Sequence, residues 1–87
     1  LYKLVILSDA EAFLKKLSFA DRDHCVRVRN IIASLQKDPF QGKALKHTLK
    51  GCYSLRVGMY RIIYTVDHKI ITVYVLDIGH RKDVYRS

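Results

Sequence analysis

Residues 51–66, Gly-Cys-Tyr-Ser-Leu-Arg-Val-Gly-Met-Tyr-Arg-Ile-Ile-Tyr-Thr-Val, leave this chain little freedom. They form two runs rich in Val, Ile and Tyr on either side of Gly58-Met59, the pattern of a β-hairpin. A two-residue loop pairs Val57 with Tyr60 and sets Arg56 opposite Arg61. Successive strand side chains point to opposite faces, so the two arginines then share one face of a sheet. Like charges directly opposite each other destabilise a strand pair. A chain that spends two guanidinium groups this way implies an anion for them to hold. The other parity, Tyr53, Leu55, Val57, Tyr60, Ile62, Tyr64 and Val66, is apolar and predicts the side that packs on helices.

The helices are legible upstream. Residues 2–7 read as a short strand. Ser8 and Glu11 have capping-box spacing, which predicts a helix start. Ala10, Phe13, Leu14 and Leu17 form its apolar stripe. Ser18 and Asp21 mark the junction to a second helix, whose buried stripe is Cys25, Val28, Ile31, Ile32 and Leu35. Asp38-Pro39 stops it, because the residue before proline is pushed out of the helical region. Residues 40–50 form a connector. There Lys43, Lys46, His47 and Lys50 recur at helical intervals, which fits either a basic amphipathic turn or a solvated loop. Residues 70–78 are apolar at both parities, as expected of a central strand covered on both faces. Gly79 is expected to break that strand, and the chain beyond it can fold back beside the arginines.

The element order is β-α-α-β-β-β. It predicts an α+β fold with a two-helix hairpin packed on one face of a twisted, antiparallel-rich sheet. With 87 residues the chain suffices for a single domain, residues 1–87. Its 49% hydrophobic and 28% charged residues are those of a folded protein. No apolar run approaches a membrane span and no signal peptide is visible, so a cytoplasmic protein with no membrane partner is expected. Cys25 and Cys52 are too few and too far apart for a zinc site, which predicts reduced thiols and neither metal nor cofactor.

Charge narrows the partner. The formal net charge of +8 is uneven: residues 43–87 hold nine basic and three acidic side chains, residues 1–42 seven and five. A basic half suggests a polyanion, nucleic acid before an acidic protein or an anionic membrane. No acid pair, Cys-His dyad or phosphate-cradling glycine loop stands out. Arginines, lysines, a His and a Tyr suit a phosphodiester: guanidinium groups bind phosphate oxygens and stabilise added negative charge. An RNA substrate brings its own 2′-hydroxyl as nucleophile. His80 can move a proton near neutral pH. Tyr85 can orient the hydroxyl, stack on a base, or act as a base if nearby cations lower its pKa.

Two runs then carry a resemblance over nearly the whole chain. Residues 49–51 with 53–64 (Leu-Lys-Gly, Tyr-Ser-Leu-Arg-Val-Gly-Met-Tyr-Arg-Ile-Ile-Tyr) closely resemble the signature of the RelE/ParE superfamily of toxin–antitoxin toxins. Residues 75–85 are similar to the ending of its RelE branch. The resemblance implies a small toxin that cleaves messenger RNA, typically in the ribosomal A site, and is neutralised by a cognate acidic antitoxin. It implies that Arg61 holds the scissile phosphate and Arg56 supports charge neutralisation. Arg81 stabilises the transition state or helps protonate the leaving group. Tyr85 orients or activates the 2′-hydroxyl. Lys43, Lys46, Lys50, Ser54 and Lys82 are the candidate RNA contacts around them. Ser54 stands where some members carry a Lys. His80 is an alternative to Tyr85 as the general base, since some relatives use a His. Two residues follow Tyr85, so the longer C-terminal helix of some relatives is not expected. A ParE-like inhibitor of DNA gyrase, and a non-catalytic antitoxin-binding module, are the alternatives.

Overall fold

The structure, a computed structural model, describes residues 1–80. Strand β1 (Lys3–Ile6) leads into helices α1 (Ser8–Ala20) and α2 (Arg22–Ser34). A short strand β2 (Lys43–Ala44) and a 3-10 turn (His47–Leu49) precede β3 (Cys52–Val57), β4 (Tyr60–Asp67) and β5 (Thr72–His80). The five strands form one sheet in the order β1-β5-β4-β3-β2. β1 runs parallel to β5 and every other pair is antiparallel. This is the expected α+β arrangement with one strand more than the sequence suggests.

The helices pack through the stripes their spacing predicts. Ala10, Leu14 and Leu17 of α1 and Cys25, Val28 and Ile32 of α2 are buried, as is Leu35 just beyond. Phe13 and Ile31 are half-buried at the margin. These side chains meet Val57, Ile62, Tyr64, Val73, Val75 and Ile78 of the sheet. Each fully buried aliphatic side chain contributes about 1.5–3 kcal/mol, so this layer is the main source of stability. Cys25 and Cys52 are both free thiols.

Helix ends differ in detail from expectation. Leu7 is the N-cap of α1, no side chain caps it, and Ser8 is already helical. The Glu11 carboxylate does not reach back; it accepts from Arg29 Nη2 of α2 at 2.9 Å. Asp9 and Glu11 still suit the positive end of the helix dipole. At the junction Asp21 caps α2, accepting from the His24 backbone N–H at 3.2 Å and lying 2.6 Å from His24 Nδ1. These bonds, the backbone one foremost, hold the Asp21 carboxyl below its ordinary pKa. α2 ends at Ser34, short of Asp38-Pro39. Turns continue beyond it to Asp38, whose backbone N–H donates to Ser34 O at 3.1 Å, and Gln36 among them exchanges bonds with the start of the chain, its C=O accepting from Tyr2 N at 2.9 Å and its Nε2 donating to Tyr2 O at 3.0 Å.

Strand β5 also departs from expectation. It begins at Thr72, because residue 71 turns the chain with φ 50°. It continues through Gly79 to His80, with Gly79 opposite Arg61 and His80 opposite Tyr60. Gly79 is no breaker here, since β4 offers a ladder that continues past it. A register shift at Ile63/Tyr64 leaves Leu76 unmatched, as in a β-bulge.

Tyr64 ties the connector to the core. Its buried hydroxyl donates to Pro39 O at 2.9 Å and accepts from Gly42 N at 2.8 Å. Tyr64→Phe strands both backbone groups and is expected to cost about 1–3 kcal/mol at neutral pH, read by urea melts. Burial raises the Tyr64 phenol above its ordinary pKa, the Gly42 bond acting weakly the other way. The native state therefore keeps this proton longer than the unfolded chain, and stability falls as pH rises past about 10. Tyr64→Phe lacks that loss, so the stability gap between the two proteins is expected to narrow between neutral pH and about pH 11. An unchanged gap would mean the hydroxyl is not buried as described.

Candidate functional site

With the apolar parity of β3, β4 and β5 under the helices, the opposite parity lies on the face away from them, where Ser54 and Ile63 are buried as well. The register is the one the hairpin predicts: Val57 opposite Tyr60 and Arg56 opposite Arg61, with Gly58 in the turn at φ 59°. The arginines are therefore cross-strand neighbours, with Cα atoms about 4.5–5.5 Å apart by ladder geometry. The adjoining row on the same face runs Lys43, Ser54, Ile63, Asp77 across β2, β3, β4 and β5. Lys43 thus enters the site from the edge strand.

These residues shape a pocket of about 380 Å³ lined by Gln41, Lys43, Ser54, Arg56 and Arg61. Among the described residues it holds three cations and no carboxylate. A larger hollow of about 550 Å³ at the other end of the sheet is lined by Thr65, Val66, Asp67, His68, Lys69 and Tyr74. There the Lys69 charge is offset by Asp67, so it lacks the same pull on an anion. Chemistry rather than size selects the smaller pocket. Among the described residues the acid flanking the arginines is Asp77, whose Oδ1 accepts from the Ile78 backbone N–H at 2.9 Å. Among the described residues, no group of three or more His, Cys, Asp or Glu side chains is placed to hold a metal ion.

The structure brings together some of the sequence candidates and separates others. Arg56, Arg61, Ser54 and Lys43 converge. Lys46 and Lys50 flank the 3-10 turn as exposed residues and do not line the pocket. The connector is thus neither an amphipathic helix nor a plain loop. His80 lies on the opposite parity from the arginines. It pairs with Tyr60, and the two rings meet edge to face at 6.2 Å. Tyr60 also meets His24 at 5.6 Å and Phe13 at 5.7 Å, on the helix side. The expectation that His80 joins Arg56 and Arg61 is corrected: it stays in β5, and strand alternation fixes its face. Arg81, Lys82 and Tyr85 lie outside the described residues.

Two features escape sequence reasoning. Gln41 lines the pocket although no motif or period marks it. Gly42, beside it, is required by close approach: a Cβ there would stand 2.7 Å from the Tyr64 hydroxyl and 2.9 Å from Ser54 O. An unexplained glycine in a polar connector was the available signal.

Comparison with known proteins agrees with the fold. Residues 4–85 match the family described as the ParE toxin of type II toxin–antitoxin systems, parDE. Toxin RelG of Mycobacterium tuberculosis is 42% identical over 53 residues, which span 60% of this chain and 61% of RelG. Toxin RelE of the same organism is 30% identical over 86 residues, 98% of this chain and 87% of that protein. The crystal structure of the RelBE2 toxin–antitoxin complex from M. tuberculosis superposes with a TM-score of 0.81 at 30% identity, covering 92% of this chain and 98% of the matched one. A two-helix hairpin on a mixed five-stranded sheet is the fold shared with these toxins, and the chain belongs to the ParE toxin family of type II toxin–antitoxin systems as a RelE-like toxin.

Proposed function

We propose that this toxin is an RNA endonuclease that cleaves messenger RNA, working in the ribosomal A site. The observation that carries the reading is the Arg56–Arg61 pair, two like charges held opposite each other on the face of the sheet away from α1 and α2. Two guanidinium groups so placed can bind the anionic oxygens of a phosphodiester between them.

In this reading Arg61 binds the scissile phosphate, and Arg56 and Lys43 neutralise the charge that grows on it. The 2′-oxygen attacks phosphorus and the bond to the 5′-oxygen breaks. A cyclic 2′,3′-phosphate and a 5′-hydroxyl remain. The proton leaves the 2′-hydroxyl for a base and another reaches the departing 5′-oxygen. The family resemblance gives these tasks to Tyr85 and Arg81. The register of His80, facing Tyr60, favours Tyr85 over His80 as the base. RNA and ribosomes place such activity in the cytoplasm. A cognate acidic antitoxin is the expected partner: the similar RelBE2 toxin is seen in complex with its antitoxin, and a charge of +8 favours an acidic one.

The match to the ParE toxin family supports a second reading, an inhibitor that binds DNA gyrase and cuts nothing. Mapping transcript ends after expression in cells, beside a supercoiling assay with purified gyrase, separates the two. Cleavage within translated messages, lost in Arg61→Ala and Arg81→Ala with unchanged circular dichroism, is the expected result. Growth arrest with intact messages and blocked supercoiling would instead establish the second reading.

Two measurements test the arginine pair directly. Affinity for short RNA is expected to fall steeply with salt, with a log–log slope of about −0.7 per phosphate neutralised. Arg56→Thr is expected to raise stability by about 0.2–1 kcal/mol while weakening RNA binding, because it removes the opposed charge. A destabilised Arg56→Thr protein would show that the pair is not repulsive.

A further inference from the structure

The candidate pocket is lined mostly by donors. Lys43, Arg56 and Arg61 offer N–H groups and no acceptor. A phosphate presents only acceptors, so these three satisfy it. A nucleotide also carries donors, the 2′-hydroxyl and the exocyclic amino groups of bases, and these need an acceptor close to the phosphate site.

Gln41 has the geometry to provide it. Its Nε2 donates to Asp38 O at 3.1 Å and to Ser34 Oγ at 3.0 Å. A backbone carbonyl can only accept, so the atom facing Asp38 is the amide nitrogen and the carbonyl oxygen lies on the other side of the group. The Ser34 hydroxyl donates to Ile31 O and is thereby left to accept from Gln41. Both amide protons are thus committed, one to the last residue of α2 and one to the turn beyond it. The backbone around Gln41 is pinned as well, since the Tyr64 hydroxyl holds Pro39 O and Gly42 N on either side of it. An exposed side chain is rarely fixed at so many points, and this one lines the pocket. A neutral carbonyl also suits the place electrostatically: it accepts without the repulsion a carboxylate would exert on a bound phosphate.

We infer that Gln41 is a nucleotide-binding residue whose side-chain carbonyl oxygen accepts a hydrogen bond from a donor on the nucleotide beside the phosphate held by Arg56 and Arg61. This rests on the reading of those arginines as phosphate ligands. The shared chemistry is an O–H or N–H donor, and its source is the 2′-hydroxyl or a base amino group. With the 2′-hydroxyl as donor, Gln41 orients the nucleophile without taking its proton. With an amino group, Gln41 selects the base.

The test is fluorescence anisotropy with short single-stranded oligonucleotides, using Arg81→Ala protein so that bound RNA persists. One arm compares an all-ribose strand with its 2′-deoxy counterpart. The other compares adenine- or guanine-containing RNA with the same strand carrying purine riboside or inosine. A preference of about three- to tenfold for the donor-bearing strand is expected in one arm. Adding Gln41→Leu is expected to collapse that preference towards unity while leaving the salt slope unchanged. The arm that collapses identifies the donor. Gln41 is exposed, so the variant is expected to fold, and its melting curve checks this. Steep salt dependence with the preference intact in Gln41→Leu, or with no preference in either arm before the change, overturns the role of Gln41 alone. Absence of salt-dependent binding to any strand overturns both this inference and the proposed function.

Discussion

Everything at the candidate site depends on the apolar parity of β3 and β4 being buried under α1 and α2. Val57, Ile62 and Tyr64 meet Leu14, Leu17, Val28 and Ile32 in one core. A slip of one residue would turn every side chain to the other face and bury the arginines. The hydrophobic cost of such a slip far exceeds the repulsion between Arg56 and Arg61. The core therefore keeps two guanidinium groups opposed on the outer face, where an anion can relieve them.

A second layer of organisation comes from Tyr64. Its ring belongs to the core while its hydroxyl reaches the connector and holds Pro39 and Gly42. The same residue thus links the stability of the sheet to the placement of Gln41 and Lys43 at the pocket. Lys43 then pairs with Ser54 as the edge strand β2 closes beside β3. Core packing and site assembly are in this way parts of one structure, and the requirement for glycine at position 42 follows from both.

Local pattern revealed much of this fold. The helical stripes of α1 and α2, the turn at Gly58 and the opposition of Arg56 and Arg61 follow from spacing, because each depends on residues near one another in the chain. Errors fell where distant segments meet. The turns that follow α2 are tied to the start of the chain by Tyr2 pairing with Gln36. Glu11 looks like a capping residue but is bound to Arg29, eighteen positions on. Gly79 reads as a breaker, yet pairing with β4, which begins at Tyr60, carries the strand through to His80.

The sequence by itself determined the fold class, the two apolar faces that meet in the core and the shared face of the arginines, since all three are consequences of periods of 3.6 and 2. Only the tertiary structure decided which other groups join those arginines. Lys43 enters through a two-residue edge strand with no periodicity of its own. Gln41 enters because a buried hydroxyl from β4 pins the connector. His80 is turned away by the ladder with Tyr60. Each of these placements is made by hydrogen bonds between segments far apart in the chain, and no local pattern encodes them.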